Sequence, residues 1–317
     1  MGQHTRGGTM ILVTGATGFV GKALLDLLDR EGISYRPVSR TARKNYVQVT
    51  NIDADTDWSQ ALAGVETVIH LAARVHVMKE STADPLVAFR TMNVDASINL
   101  ASQAAALGVK RFVFISSIKV NGEATKPGHP FTAEDIPAPV DAYGQSKLEA
   151  EQALFQLGNK TGMEIVVVRP PLVYGPCVKA NFAALIRWAG SRIPFPFGAA
   201  RNARSLVYVE NLVDLIVLCV HHPAAANEVF CVSDDEDLST AELFRRLNGL
   251  QGGRSRIIAV PVRLLTIVFG LIGKAAEADR LLGSLQVDIA KTRSRLSWAP
   301  TISCDEGLRR TVERLKR

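Results

Sequence analysis

The stretch that most constrains this chain is ILVTGATGFVGKALLDLL, which runs from Ile11 to Leu28. Its first residues suit a buried parallel strand, and its last residues favour a helix with leucines on one face. Between them lie Gly15, Gly18 and Gly21, in the pattern GxxGxxG rather than the commoner GxGxxG. Glycines let the backbone approach a ligand closely, and the helix start offers unpaired N–H groups and a positive dipole end. The turn therefore predicts an anion site, and the usual anion is a dinucleotide pyrophosphate.

Strand and helix patterns then alternate along the chain. The alternating pattern predicts apolar strands at 10–14, 33–38, 46–49, 66–71, 111–116 and 164–169, and helices at 19–31, 58–63, 84–108 and 143–161. Repeated β-α order predicts an α/β fold of the Rossmann type, in which helices cover both faces of a doubly wound parallel sheet. Such a sheet binds its ligand at the carboxyl ends of the strands.

The alternation breaks after RPPLVYGP at 169–176. A helix near 180–189 and the Pro/Gly-rich loop RIPFPFG follow, and a strand at 228–233 returns to the sheet. The pattern predicts three parts of the chain: a disordered leader at 1–9, an NAD(P)-binding domain at 10–176 and 205–233, and a smaller, mostly helical C-terminal substrate lobe at 177–204 and 234–317.

Composition and spacing exclude several classes of function. The net charge of +6 permits acidic partners, but the basic residues are scattered and the few aromatic residues do not interleave with them. We therefore expect no nucleic-acid partner. The four cysteines form no CxxC pair, which favours reduced thiols in the cytoplasm. The six histidines lack metal-ligand spacing, so we expect no metal site.

The most apolar segment is PVRLLTIVFGLIGK, from Pro261 to Lys274. It is shorter than the roughly 20 residues that a helix needs to cross a bilayer, so no stable membrane insertion is expected. Two interpretations remain, a buried helix of the substrate lobe and a helix that lies in a membrane interface. We expect the buried helix.

Three later segments fall where strand ends would face a nucleotide. VIHLAA ends the fourth strand at Ala72 and Ala73, FVFISS ends the fifth at Ser117, and YGQSK begins a helix with Tyr143 and Lys147. The four-residue spacing puts the tyrosine hydroxyl and the lysine ammonium on one helix face. A nearby cation, with a positive nicotinamide ring, would draw the tyrosine pKa from about 10 toward neutrality. Ser117 would then hold a substrate oxygen while Tyr143 gives or takes its proton.

In their order and spacing, these segments resemble the extended short-chain dehydrogenase/reductases of the nucleotide-sugar epimerase/dehydratase group, from Met10 to the C-terminus. The resemblance implies an oxidoreductase or isomerase whose catalytic residues are Ser117, Tyr143 and Lys147. It also implies an NAD or NADP cofactor, and the positions that match its binding residues are Gly15, Thr17, Gly18, Phe19, Val20, Gly21, Arg40, Asn51, Ile52, Leu71, Ala72, Ala73, Asn93, Tyr143, Lys147 and Pro170. Of these, Asn93 matches a position that supports the active site from behind.

The resemblance further implies a UDP-sugar substrate and a homodimer. Ser117 would contact the sugar, while Asn181 in VKANF and Arg204 in NARSLVYVENLVD resemble the amide and arginine that grip the diphosphate. An arginine fork suits phosphate physically, and the alternative for Arg204 is a surface salt bridge. The dimer would form through the helices predicted at 84–108 and 143–161.

Departures from the family's pattern reduce the number of reactions that this chain is expected to catalyse. Dehydratases follow the catalytic hydroxyl with an Asp-Glu pair, which here is Ile118 and Lys119, so dehydration is not expected. The usual Val-Tyr-Gly reads Val120-Asn121-Gly122, which puts the exact substrate in doubt. Reduction of a 4-keto sugar and C4 epimerisation both remain.

The phrases ISSIKVNGE, SWAPTIS and LLGSLQVD most resemble the branch of 4-ketoreductases. These act on a UDP-2-acetamido-2,6-dideoxy-hexulose in the synthesis of surface polysaccharide such as lipopolysaccharide, and we expect that reaction. The alternative is a 4-epimerase of UDP-glucose or UDP-N-acetylglucosamine. A non-catalytic NAD(P)-sensing regulator is a third class, but such members lack the tyrosine or the lysine, and this chain has both.

The end of the second strand bears on the choice of cofactor. NAD-selective sites place an Asp or Glu there, about 20 residues past the glycine motif. Here ISYRPVSRTARK reaches Ser39 and Arg40 without an acid. A guanidinium can bind a 2′-phosphate with paired hydrogen bonds, so Arg40 favours NADPH and with it the reductase, which consumes its cofactor. The alternative for Arg40 is a solvated loop cation.

Overall fold

The computed structural model of the protein describes residues 9–74, 84–126, 128–253, 255–271, 273 and 281–315. The leader predicted at 1–9 lies outside the described residues, except for Thr9. Within the described residues, strands and helices alternate through one large sheet and then give way to a second, smaller sheet and a helical region.

A seven-stranded parallel sheet is the centre of the first part of the chain. Its strands are β1 (Ile11–Thr14), β2 (Tyr35–Ser39), β3 (Val47–Gln48), β4 (Thr67–His70), β5 (Arg111–Ile115), β6 (Glu164–Arg169) and, after two strands of the second sheet, β9 (Glu228–Cys231). They lie in the order β3-β2-β1-β4-β5-β6-β9, and every neighbouring pair is parallel. The winding reverses between β1 and β4, where a doubly wound sheet opens a crevice for its ligand. The predicted Rossmann-type fold is confirmed, including the strand that returns near 228–233.

Helices cover both faces of this sheet because its strands carry apolar side chains on both sides. The helices are α1 (Phe19–Glu31), α2 (Ser59–Leu62), α3 (Pro85–Arg90), α4 (Ala96–Ala106), α5 (Ala142–Thr161) and, after α6 (Ala180–Ala189) of the C-terminal region, α7 (Val209–His221). In β1, Ile11 and Val13 belong to the core that includes α1 and α7, whereas Leu12 belongs to the core under α2, α4 and α5. Hydrophobic cores on both faces therefore fix the position of β1, whose carboxyl end leads into the glycine turn.

The helix predicted at 84–108 is present at 85–106 and contains a wider turn in its middle. α3 ends at Arg90, and Thr91–Asp95 form a π-helical turn before α4 begins at Ala96. A π-helical turn is wider than an α-helical one, and such turns are frequent at functional sites. The wide turn carries Asn93, whose side chain is completely buried. The predicted helix is therefore present, but the sequence did not predict this turn, which places Asn93 among the backbone groups described below.

A second sheet of three short strands follows the first. It consists of β7 (Leu172–Tyr174), β8 (Arg204–Tyr208) and β10 (Asp237–Leu238). The central strand is β8, which is parallel to β7 and antiparallel to β10. The sequence did not predict this sheet, because strands this short carry little periodicity. β7 and nearly all of β8 belong to the expected domain at 10–176 and 205–233, whereas β10 belongs to the lobe expected from 234. Since β8 pairs with β10 across that boundary, the division into two domains stays a prediction.

The remaining described helices belong to the helical C-terminal region, which is called the lobe below, and the core among them is aromatic. The helices are α6 (Ala180–Ala189), α8 (Thr240–Leu250), α9 (Val262–Leu271), α10 (Ala290–Leu296) and α11 (Cys304–Leu315). The loop RIPFPFG supplies the buried Phe195 and Phe197, and Phe195 stacks on Phe244 of α8 with ring centroids 3.6 Å apart. Trp188 of α6 packs edge-on against these three rings. The helical character predicted for the C-terminal region is confirmed.

α9 differs from the buried helix expected for Pro261 to Lys274. Only Leu265 of this helix is buried, with 5% of its surface exposed, and Phe269 is half-buried. The prediction of a buried helix is wrong because α9 contacts the lobe core only along the stripe of these two side chains. None of the described helices has the length and apolarity that a membrane span requires.

Gly21→Ala should destabilise the protein, because a Cβ there would lie 2.3 Å from the carbonyl oxygen of Gly15. We expect the forced shift to lower the free energy of unfolding by about 1–3 kcal/mol. Gly249→Ala in α8 is the matched control, since nothing lies within 4 Å of its added Cβ. Alanine at that helical position should raise stability by about 0.5–1 kcal/mol. Urea denaturation measures both, and equal stabilities of the two variants would contradict the close approach.

Candidate active site

The glycine turn between β1 and α1 packs directly against the backbone that follows β4. Gly15 has a left-handed conformation with φ of +67°, and a Cβ there would lie 2.7 Å from the amide nitrogen of Ala72. Gly18 donates its N–H to the Gly15 carbonyl at 2.9 Å and caps α1 without a side chain. A cradle that a Cβ would fill, at the positive end of a helix, fits a dinucleotide pyrophosphate.

A chain of hydrogen bonds fixes the end of β4 against this turn. Ala72 donates its N–H to Thr14 Oγ1 at 3.3 Å, and this oxygen lies 2.7 Å from Nδ1 of His70. The other ring nitrogen, Nε2, lies 2.9 Å from Ser97 Oγ, which donates to the Asn93 carbonyl at 2.8 Å. Because the Ser97 hydroxyl donates to that carbonyl, it accepts from Nε2, and Nδ1 accepts from Thr14.

His70 therefore acts as a neutral link between strand and helix. Burial, together with the charge of Lys147, lowers the pKa of His70 to about 3, so the ring keeps one tautomer across the neutral range. The sequence patterns did not predict a role for this residue. Its signal was a histidine inside the apolar strand VIHLAA, where a buried polar group needs partners.

Asn93 ties the residues after β4 to α5. Its Oδ1 accepts the N–H of Arg74 at 2.8 Å, and its Nδ2 donates to the Arg74 carbonyl at 3.1 Å and to Ser146 Oγ at 3.0 Å. Ser146 in turn donates to the Tyr143 carbonyl at 2.8 Å. Both N–H groups of the Asn93 amide are thus used within the protein, which fits a support from behind. A direct contact of Asn93 with the cofactor stays a prediction.

Ser117 and Tyr143 are brought together at the ends of β5 and α5. Ser117 caps the short 3₁₀ helix Ile118–Val120. Tyr143 lies in the first turn of α5, where Asp141 caps the helix by accepting the N–H of Gly144 at 2.7 Å. The Ser117 side chain forms a hydrogen bond with Tyr143 that favours the phenolate. This pair can therefore hold and protonate one oxygen of a substrate.

Lys147 lies buried one turn further along α5. Its Nζ donates to the Ile115 carbonyl at 2.8 Å and lies 4.3 Å from the centre of the Phe114 ring. Burial lowers the pKa of Lys147 to about 7, although the charge of Glu151 acts in the opposite direction. The ammonium and the neutral amine are therefore both populated near neutral pH.

The pKa of Tyr143 is raised, whereas the sequence analysis expected it to be lowered. Burial raises it to about 12, the hydrogen bond with Ser117 lowers it, and the charge of Asp141 raises it further. Lys147 does not supply the expected effect, because its ammonium is directed at a carbonyl and a ring and is itself partly neutral. At neutral pH Tyr143 is thus a proton donor, and it needs an added positive charge to become an acceptor.

A buried ion pair lies behind Ser117. Arg169 at the end of β6 contacts Glu151 of α5 through Nη2 at 2.5 Å and Nε at 3.1 Å. Ser116 donates its hydroxyl to Glu151, and Arg169 Nη1 donates to Asn121 Oδ1 at 3.1 Å. The Asn121 amide then donates to the Thr132 carbonyl at 2.7 Å.

This network accounts for Asn121, where the family's pattern has tyrosine. The amide oxygen of Asn121 accepts a hydrogen bond from the buried guanidinium of Arg169. Pairing with the Glu151 carboxylate alone would leave some N–H groups of that guanidinium without an acceptor. The sequence patterns did not predict a role for Glu151 or Arg169. A signal was available, because Glu151 follows Lys147 by four residues and so shares its buried face of α5.

The other residues that match cofactor positions lie along the same edge of the large sheet. Pro170 is buried after β6, and its carbonyl accepts the N–H of Ile118 at 3.0 Å. The exposed residues are Thr17, Arg40 and Asn51, and the half-buried ones are Phe19, Val20, Ile52, Leu71, Ala72 and Ala73. Of these, Arg40 directly follows β2, and Asn51 lines an open polar hollow with Thr50 and Asp53. Their contacts with a cofactor stay predictions.

The two residues expected at the substrate diphosphate lie in the C-terminal region. Asn181 is exposed in the first turn of α6. Arg204 begins β8, is half-buried and donates to the Gly283 carbonyl at 3.0 Å. Burial lowers the pKa of Arg204. Their contact with a substrate also stays a prediction.

Lys147→Met should remove a pH dependence of stability. Because the pKa of Lys147 falls from 10.5 to about 7 on folding, the unfolded chain binds more protons between those values. Wild-type stability should therefore rise with pH in this window, and the full cost of burying the ammonium is present below pH 7. The stability of the variant relative to wild type should then decrease by a few kcal/mol between pH 7 and pH 10.

Urea denaturation across this pH range measures the effect. Leu154→Met, a buried apolar exchange on the same helix, is the control and should follow the wild-type slope. A Lys147→Met variant with the same pH slope as wild type would show that Lys147 is not the titrating group.

Known proteins resemble this chain over most of its length. Residues 11–233 match the model of the NAD dependent epimerase/dehydratase family. A UDP-glucose 4-epimerase of Vibrio cholerae is 47% identical over 309 residues, which are 96% of this chain and 94% of that protein. A solved UDP-glucose 4-epimerase of Thermotoga maritima with UDP-glucose is 24% identical, with a TM-score of 0.78 and coverage of 97% and 99% of the two chains. RMD from Pseudomonas aeruginosa, complexed with NADPH, is 23% identical, with a TM-score of 0.76 and coverage of 96% and 98%.

The two solved structures share the fold, and the family match and the Vibrio cholerae relative establish the relationship. The glycine cradle fits the nicotinamide dinucleotide, NAD or NADPH, that such proteins bind. The structure brings Ser117 and Tyr143 together and places Lys147 one turn further along α5, and their catalytic roles stay predictions. The protein is an enzyme of the nucleotide-sugar epimerase/dehydratase type. The chain belongs to the NAD dependent epimerase/dehydratase family.

Proposed function

We propose that the protein is an NAD-dependent 4-epimerase of a UDP-hexose, with UDP-glucose as the first substrate to test. The observation that carries this proposal is the Vibrio cholerae relative named UDP-glucose 4-epimerase, which is 47% identical over 96% of the chain. The sequence analysis favoured a 4-ketoreductase and kept the epimerase as its alternative. The relative supports that alternative better than the main prediction.

Tyr143 would act as the acid and base of this reaction. It takes the proton from the sugar's C4 hydroxyl and returns it to the C4 oxygen, while Ser117 holds that oxygen. The bound nicotinamide supplies a hydride acceptor and donor and carries a positive charge in its oxidised form. Since burial raises the Tyr143 pKa to about 12, the protein alone keeps the hydroxyl protonated, and a neighbouring positive charge favours the phenolate.

Inversion at C4 sets a second requirement, namely that the hydride would return to the face of C4 opposite to the one it left, so the sugar would turn within the site while its nucleotide stays bound. Positive charge around the expected diphosphate site supports a separation between the residues that hold the nucleotide and those that face the sugar. Residues 165–209 contain no aspartate or glutamate and include Arg204. We assign the diphosphate to Arg204 and Asn181, because a guanidinium and an amide donate to phosphate oxygens without holding the sugar ring.

We also propose that the enzyme works as a cytoplasmic homodimer. Val87 of α3 and Leu107 directly after α4 are exposed large apolar side chains on the helices expected to pair. The four cysteines are free thiols, and three of them are buried, which suits a reducing compartment.

A second candidate is the 4-ketoreductase acting on a UDP-2-acetamido-2,6-dideoxy-hexulose in lipopolysaccharide synthesis. Arg40 is the observation that favours it, because it is exposed directly after β2 at a place where NAD-selective sites carry an acid. Incubating the enzyme with UDP-glucose, UDP-N-acetylglucosamine or a 4-keto UDP-sugar separates the two reactions. An epimerase forms the C4 epimer without consuming cofactor, and a reductase consumes NADPH only with the keto sugar.

Tyr143→Phe should lower the rate of UDP-glucose to UDP-galactose conversion by about 100-fold or more, because it removes the proton-transfer group. The affinity for NAD, measured by calorimetry, should stay near the wild-type value. Tyr35→Phe is the control, since the Tyr35 hydroxyl donates to Asp29 at the opposite end of β2. Normal turnover by Tyr143→Phe would exclude Tyr143 as the acid and base.

Arg40→Ala should weaken NADPH binding by about 10- to 100-fold and leave NADH binding unchanged, if the guanidinium holds the 2′-phosphate. Competitive binding of the two reduced cofactors to wild type and variant measures this. If wild type prefers NADH and the variant binds both cofactors as wild type does, Arg40 is a solvent-exposed residue without a cofactor contact. That result would also count against the reductase.

A further inference from the structure

The outward face of α9 is apolar. Four of its side chains recur at i, i+3, i+4 and i+7 and so share one face of the helix, the outer stripe of Leu264, Ile267, Val268 and Leu271. Their exposed fractions are 51%, 59%, 44% and 83%. The opposite stripe, Leu265 and Phe269, packs into the lobe core. A surface helix ordinarily turns polar residues to solvent, so the outer stripe requires an explanation.

Another helix of the same lobe shows the ordinary pattern. In α11, Arg309 pairs with Glu306 and with Glu313 on the exposed side, and Arg310 pairs with Glu306 and with Glu210. Leu308 and Val312 on its other side are buried. The outer stripe is therefore a feature of α9 and not of the lobe's surface in general.

Two further exposed apolar side chains lie on segments near the start of α9. Ile193 and Ile258 are exposed, and the segments that carry them lie side by side. The N–H of Phe195 donates to the Arg256 carbonyl at 2.8 Å, and the N–H of Ile258 donates to the Phe195 carbonyl at 2.8 Å. The segment that carries Ile258 leads directly into α9. This segment, the one that carries Ile193 and α9 itself therefore lie together at one end of the lobe.

Among the described residues, the charged side chains of α9 and of the two segments that carry Ile193 and Ile258 are positive. Arg192, Arg256 and Arg263 are exposed, and none of them forms an ion pair in the part of the chain that the structure describes. The sequence contains no aspartate or glutamate from 165 to 209 or from 243 to 276, the stretches that include these arginines. An apolar stripe beside unpaired arginines is complementary to a binding surface that offers an apolar region to the stripe and anionic groups to the arginines.

We propose that this end of the lobe binds the surface of an anionic lipid bilayer. The outer stripe of α9 lies in the interface among the upper parts of the acyl chains, and the arginines contact the phosphate headgroups. The helix lies along the surface and does not cross it, and the enzyme remains a peripheral protein. This proposal does not depend on which sugar nucleotide the active site takes.

A second copy of the chain would cover the outer stripe less well. A two-fold contact brings the same patch of both copies together, so the arginines at the edge of one patch would face those of the other. Like charges across an interface oppose association, whereas anionic headgroups neutralise them. The charge at the rim therefore favours the bilayer as the occupant.

Flotation of the full chain with lipid vesicles tests the proposal. Wild type should float with vesicles that contain phosphatidylglycerol, at least about tenfold more than with phosphatidylcholine alone, and less as salt is added. Ile267→Glu/Leu271→Glu should lose this binding by about tenfold or more, because the stripe no longer enters the interface. Arg256→Gln/Arg263→Gln should lose the preference for the anionic lipid. Ile136→Glu, at a side chain 90% exposed on another part of the protein, should bind like wild type.

All the substituted side chains are exposed, so the variants should keep the wild-type unfolding midpoint, which is measured alongside. The proposal is overturned if wild type does not float with anionic vesicles, or if Ile267→Glu/Leu271→Glu floats as wild type does. It is also overturned if that variant halves the molar mass found by light scattering without vesicles. That result would assign the outer stripe to a contact between copies of the chain.

Discussion

The backbone of Gly15 approaches the end of β4 so closely that no side chain fits between them. This contact needs a left-handed glycine, and the neutral ring of His70 holds it from behind through its hydrogen bonds to β1 and α4. Because β1 and β4 are the strands at which the winding reverses, their carboxyl ends define the crevice. β5 then delivers Ser117 to the same edge, and α5 delivers Tyr143 and Lys147.

Local patterns made most of this predictable. Strands buried on both faces read as apolar runs, the glycine spacing marks the turn, and YxxxK places two side chains on one face of a helix. Contacts between distant segments were not predictable in this way. The pairing of Glu151 with Arg169 and the wide turn at Asn93 depend on which elements meet in space. The apolar composition of α9 likewise showed that its surface must be covered, but not whether protein or another phase covers it.

Electrostatics explain why the same residues could be expected to serve either reaction. Burial raises the pKa of Tyr143 to about 12 and lowers that of Lys147 to about 7, so the site favours neutral forms of both side chains. A proton can then move to or from Tyr143 when the charge beside it changes. Nothing in this pair distinguishes a reductase from an epimerase, and the relative at 47% identity is what favours the epimerase.

The most direct measurement follows the hydrogen at C4. UDP-glucose carrying deuterium at C4 is incubated with the enzyme and NAD, without any added reduced cofactor, and the product is examined by NMR. An epimerase returns the hydrogen that it removes, so UDP-galactose should form with deuterium retained at C4 and with no net absorbance of reduced cofactor. Absence of UDP-galactose, together with consumption of NADPH when a 4-keto UDP-sugar is supplied, would contradict the epimerase and establish the reductase.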